Sequence, residues 1–190
     1  MTNNYIENQY FKNTNYARNG FPKAEYENCT FSNCIFSNTD LSEIKFVECE
    51  FENCDLSNAQ LIGTAFQEVN FKNCKLLGLH FDDCNTFLLS FSFDNCILNF
   101  SSFYKLKLKN TILKDCKLEE VEFNETDLTN SIFKNCDLSR AIFGNTILEK
   151  SDFRTSFNYS IDPEMNRIKK AKFSVQGIVG LLDKYDITIE

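Results

Sequence analysis

The sequence predicts an all-β coil that climbs through four short sides per turn, and three regularities predict it. From Phe11 a large apolar residue falls at every fifth position: Phe11, Tyr16, Phe21, Tyr26, Phe31, Phe36, Leu41 and onward to Leu76 and Phe81. The series resumes in a second register at Phe93, Leu98, Phe103, Leu108 and Leu113, and runs to Leu148 and Phe153. Two places before most of them stands a small or modestly apolar residue, such as Cys29, Cys34, Thr39, Ile44 and Cys49, or later Cys116, Val121, Thr126 and Ser131. Identities also recur at twenty: Cys34, Cys54 and Cys74; Cys96, Cys116 and Cys136; Asn13, Asn33, Asn53 and Asn73. Helices repeat at 3.6 and flat strands at 2, so neither produces a period of five. A spacing of two on extended chain puts the large and the small residue on one face. Four fives then set each residue over its equivalent one turn away, where identical polar side chains form ladders.

The elements follow in order. Residues 1–10 read as a lead-in, and residues 11–160 as the coil, roughly seven turns and about 34 Å long at about 4.8 Å per stacked strand. The count breaks at 82–92, where Phe81 and Phe93 are twelve apart and two residues are extra. That stretch reads either as a bulge the rod absorbs or as a small loop that touches a partner. Its apolar run Phe87-Leu88-Leu89 favours burial. Past Phe153 the repeat stops at Ser156–Ser160, and Asp162-Pro163 redirects the chain. A basic patch follows at Arg167, Lys169, Lys170 and Lys172. Ser174 is placed to cap a helix from Val175 to Tyr185, whose apolar positions follow i, i+3, i+4, i+7 spacing. Ile187-Thr188-Ile189 alternates as a short strand. Residues 161–190 thus read as a C-terminal module, suited to covering the open end of a coil.

Several units, among them Cys54-Asp55-Leu56-Ser57-Asn58, Ala59-Gln60-Leu61-Ile62-Gly63 and Thr126-Asp127-Leu128-Thr129-Asn130, resemble the A(D/N)LXX repeat of the pentapeptide-repeat family. The resemblance covers about three-quarters of the chain and implies a right-handed quadrilateral β-helix. The C-terminal module is similar to that of the Qnr members in its helix-then-strand order and paired leucines. In those proteins it makes a two-fold dimer, which assigns capping, or capping with dimerisation, to Ile178, Leu181, Leu182, Tyr185, Ile187 and Ile189. Qnr proteins also imply mimicry of duplex DNA at the DNA-binding saddle of gyrase or topoisomerase IV, with fluoroquinolone tolerance as a consequence. Qnr proteins of Gram-negative bacteria project two sizeable loops from the rod, and here only the 82–92 break is available for that part.

Composition restricts the chemistry. The 27 acidic and 20 basic residues give a formal charge of −7, which predicts no basic stripe for a phosphate backbone and no direct nucleic-acid binding. No apolar run reaches the roughly 18 residues of a membrane span, and the N-terminus lacks the charged and apolar regions of a signal peptide. The nine cysteines never form C-x₂-C, and eight of them occupy the small inward slot, where a thiol is a compact hydrophobe, as does Cys84 if the first register is extended. No metal, cofactor or disulfide is expected, and the setting is a reducing cytoplasm. His80 is the sole histidine and lies outward, and a filled coil has no room for a substrate, so no enzyme is expected. What remains is the acidic surface: Glu25, Glu27, Glu48 and Glu68, then Asp82 and Asp83, then Glu119, Glu120, Glu122, Glu125 and Asp127. It reads either as a DNA-like partner-binding surface or as an ordinary solvated face, with Lys105–Glu125 and Glu120–Arg140 paired across turns. The alternative function is a general interaction scaffold for an unrelated protein.

Overall fold

The computed structural model describes residues 4–188. Every strand pairing in it is parallel and joins residues one turn apart. Tyr5–Glu7, Glu25–Glu27, Lys45–Val47 and Ala65–Gln67 form one sheet. A second runs from Tyr10–Lys12 through Thr30–Ser32, Glu50–Glu52, Val69–Lys72, Phe91–Asp94 and Ile112–Lys114 to Ile132–Lys134. The register is +20 below the break, as in Phe31↔Phe51, and +22 across it, as in Phe71↔Phe93. The other two sides connect by single bridges such as Ile35↔Asp55 and Asp40↔Gln60. The result is the right-handed, four-sided β-helix of the sequence reading.

The five-residue side has a local cause. The second residue after most inward Phe and Leu side chains lies in the left-handed region, as at Asn33 (φ 53°), Asn53 (φ 54°), Asn73 (φ 55°) and Gly63 (φ 68°), but not after Phe21, Phe81 or Phe153. Asn and Gly take that conformation at least cost, which explains their frequency at this position. On the bridged sides the corner closes with a turn bond, as in Thr64 N–H to Leu61 O at 3.0 Å. Each side then donates to both neighbours, as Asn33 N–H to Glu52 O and Glu50 N–H to Cys29 O illustrate.

Inside, aromatic rings stack over their equivalents. Phe31 on Phe51, Phe51 on Phe71, Phe71 on Phe93 and Phe103 on Phe123 lie 4.8–5.4 Å apart. All nine cysteines are buried and free. They do more than fill space: the Cys54 thiol donates to Phe31 O at 3.3 Å and the Cys74 thiol to Phe51 O at 3.3 Å. Thr64, Thr126, Ser131 and Ser156 hydroxyls repeat that bond from the same slot, to Leu41, Phe103, Leu108 and Phe133. The slot therefore accepts small donors as readily as Ala.

Five expectations need correction. The coil begins inside residues 1–10, since Tyr5–Glu7 pairs with Glu25–Glu27. It also outlasts residue 160. After the Asp162-Pro163 detour, Asn166 enters the small slot, Arg167 and Lys172 bridge to Ile147 and Asp152, and Phe173 stacks on Phe153. At 82–92 the two extra residues push outward, leaving Phe87 69% and Leu88 65% exposed. Burial was expected there, but Phe91 occupies the small slot and fills the tube with Phe81, Phe93 and Phe103. Finally, the C-terminal helix is not α but two 3₁₀ segments, Gln176–Leu181 and Asp183–Tyr185. Gly177 and Gly180 lower helix propensity and press against Tyr159, where any Cβ would overlap its hydroxyl and carbonyl. Ser174 caps the first segment through Gly177 N–H at 2.9 Å. Ile187 and Thr188 form no strand, because Asp186 turns left-handed (φ 48°) and leads the chain off the coil. Ile189 lies outside the described residues.

Candidate protein-binding surface

Side one centres on Ile6, Tyr26, Phe46, Phe66, Leu108, Leu128 and Leu148; sides two, three and four begin at Phe11, Tyr16 and Phe21. The predicted acidic surface does not form one patch. Glu25, Glu27, Glu48, Glu68 and Asp127 lie on side one, Glu119 and Glu120 on side three, and Asp82, Asp83, Glu122 and Glu125 on side four. Several are neutralised where they stand. Glu25 meets Lys45 at 2.6 Å, Asp127 meets Lys109 at 3.3 Å, and Arg140 holds both Glu119 and Glu120. Residues close in sequence fall around a corner from one another, which a linear count of charges does not register.

The rows instead assemble an acidic stripe on side four. It carries Asp40 and Glu43, then Asp82 and Asp83, then Glu122 and Glu125, then Asp162 and Glu164, against Lys23 and Lys105. Asp40, Glu43, Asp162 and Glu164 were missed, although their forty-residue recurrence with Asp82, Glu122 and Glu125 is visible in the sequence. Lys23 reaches Glu43 at 3.7 Å and Lys105 reaches Glu125 at 3.5 Å, both exposed pairs that contribute little. Hydrogen bonds from Ser42 hold the Asp40 carboxyl below its ordinary range. His80 is exposed and stands 3.5 Å from Asp82.

Sides two and three have interleaved signs. Lys114 pairs with Asp94, Arg154 with Asp152, and Arg140 with Glu120. Side one changes sign along its length, and its upper half is basic: Lys107, Lys109, Lys150, Arg167, Lys169 and Lys170. The net charge of −7 therefore conceals a basic strip, contrary to the expectation from composition.

At the C-terminal end the 3₁₀ segments rest on the last turn through Leu181 and leave Val175, Ile178, Val179, Tyr185 and Ile187 exposed. Leu182 is half-buried. Lys184 clips the module to the coil, 2.7 Å from both Asp162 and Glu164. A groove of about 410 Å³ is lined by Phe157 and Asn158 on the coil and by Ser174, Gln176, Val179 and Asp183 on the module. Among the described residues no set of side chains could hold a metal ion, and no helix is long and apolar enough to cross a membrane.

A stacked tube with a side-chain-filled interior and flat charged sides is a solenoid whose only working surface is its outside. The family described as pentapeptide repeat region matches residues 24–92 and 87–158, and the chain belongs to it. No curated protein matches the sequence. Among solved structures, a trypsin-treated form of QnrB1, a plasmid-mediated fluoroquinolone resistance protein, superimposes with TM-score 0.70 at 18% identity, over 98% of this chain and 91% of that one. A second trypsin-treated form gives 0.63 at 18%, over 99% and 98%. Full-length QnrB1 gives 0.55 at 19%, over 96% and 100%. These likenesses show the shared fold.

Proposed function

We propose that the chain is a non-enzymatic, cytoplasmic binding rod. It presents side four to the basic DNA-binding groove of DNA gyrase or topoisomerase IV, as a partial mimic of duplex DNA, and dimerises through its C-terminal module. The acidic stripe on side four is the observation that carries this reading. From Asp40 to Glu164 it carries eight carboxylates against Lys105, with Lys23 one row below and Lys184 held at its upper end, while sides two and three alternate. The likeness to a fluoroquinolone resistance protein supports it. The exposed Val175, Ile178 and Tyr185 at the rod's end supply an apolar patch for a two-fold contact.

Magnitude limits the mimicry. Duplex DNA carries a charge every ~1.7 Å of axis, several times the density of this stripe. The rod matches the sign and direction of DNA more than its strength, so it competes best at low salt. Supercoiling assays with added protein, with and without ciprofloxacin, test the reading. Inhibition is expected at micromolar protein, weakened by the combined variant Asp82→Asn, Asp83→Asn, Glu122→Gln, Glu125→Gln. No effect on the enzyme at that concentration would sink it. A second reading, a scaffold for an unrelated protein, draws on the interleaved signs of sides two and three. A pull-down that recovers another stable protein and no topoisomerase subunit favours it.

A further inference from the structure

Side one is antisymmetric in charge about its middle. Its nine rows are residues 5–8, 25–28, 45–48, 65–68, 87–90, 107–110, 127–130, 147–150 and 167–170. The fifth is the outward bulge with Phe87 and Leu88. Ion pairs within the side cancel Lys45 with Glu25 (2.6 Å), Lys109 with Asp127 (3.3 Å) and Arg167 with Glu149 (2.6 Å). Glu7, Glu27, Glu48 and Glu68 remain below the bulge, and Lys107, Lys150, Lys169 and Lys170 above it. None of these eight has an ion-pair partner among the described residues.

We infer that side one is a self-association surface whose occupant is a second copy of this chain, packed antiparallel about a two-fold axis through Phe87 and Leu88. Such an axis brings each row opposite its mirror row. Among the unpaired charges, the Glu7 row faces Lys169 and Lys170, the Glu27 row faces Lys150, and the Glu68 row faces Lys107. Lys45 faces Asp127. Parallel packing would set acid on acid and base on base, so charge alone selects the antiparallel arrangement. At the axis the apolar side chains of the bulge meet, and a hollow of about 210 Å³ lined by Thr86, Leu89 and Lys107 lies beside them. An aromatic anchor at the centre with a charged periphery is the usual distribution of an interface. The side measures roughly 38 by 12 Å, so two copies bury about 900 Å², below the size of permanent interfaces. The dimer is accordingly weak, concentration-dependent and salt-sensitive. This contact is separate from the C-terminal patch and leaves side four open.

Sedimentation velocity at low and high salt tests it on the full chain carrying Ile178→Asp, which removes the C-terminal contact proposed above. Dimer is expected at about 50 mM salt, dissociating at least tenfold more readily at about 500 mM. Glu7→Lys with Glu68→Lys, or Lys107→Glu with Lys169→Glu, each leaves monomer. An equimolar mixture of the two proteins restores dimer, because every clash becomes an attraction. Phe87→Cys couples to its twin through a bis-maleimide, and circular dichroism confirms that each variant is folded. Monomer at low salt in the Ile178→Asp background overturns the inference, as does a mixture that stays monomeric. So does a dimer in that background indifferent to these reversals.

Discussion

The inward small slot makes two demands of one side chain. It must be compact, and it can donate to the carbonyl of the large residue one turn before, as Thr126 does to Phe103 at 2.7 Å. Thr126→Val keeps the volume and removes the donor, and is expected to cost about 1 kcal/mol in urea unfolding. Leu138→Ala empties a fully buried site and is expected to cost about 2–5 kcal/mol. The corner residue makes the opposite demand. Phe100 is exposed and left-handed (φ 64°) where Asn is usual, so Phe100→Asn is expected to stabilise by up to about 1 kcal/mol. Burial pushes the Cys49 thiol up to about 12 and raises that of Cys84 as well. A thiol reagent at neutral pH is therefore expected to label the native protein far more slowly than the unfolded chain.

At the scale of elements, the C-terminal module depends on glycine and on one lysine. Gly180→Ala drives a methyl into the Tyr159 carbonyl, and is expected to release residues 174–188 to protease while the coil stays folded. A loss of the whole β signal would show that the module and the coil unfold together. The clip also sets a pH dependence. The Lys184 ammonium, hydrogen-bonded to both Asp162 and Glu164, lowers the pKa of each carboxyl. Groups depressed in the folded state contribute above their unfolded values, near 4, and lose that contribution as pH falls through the folded ones. Attachment of the module is thus expected to be flat from about pH 5 to 8 and to weaken below about pH 4; amide exchange at Val179–Tyr185 measures it. Lys184→Met abolishes the dependence if the clip is its source.

At the scale of the molecule, stacking converts a one-dimensional pattern into four charge patterns. Residues forty apart align two turns from one another on side four, and residues three apart separate around a corner. The acidic stripe, the basic strip and the antisymmetry of side one all arise this way. Charge reversal is therefore expected to act by side. Reversals on side four alter topoisomerase inhibition and leave sedimentation unchanged, while those on side one do the opposite. A variant set that moved both readouts together would mean that the two surfaces are not independent.

The coil was legible in the residues because a period of five admits no ordinary helix or strand, and because Phe31, Cys54 and Asn73 each have equivalents twenty places away. Its last turn was hidden by Asn158 and Pro163, which interrupt the apolar series, although Asn166, Ile168, Ala171 and Phe173 return to it. The bulge at Phe87 and the 3₁₀ form of Gln176–Leu181 were settled by packing: a tube already filled by Phe91, and a Tyr159 too close for an α-helical turn. Periodicity is a local property and fixes which way each side chain points. Which charges become neighbours depends on how the turns stack, and only the folded chain decides that.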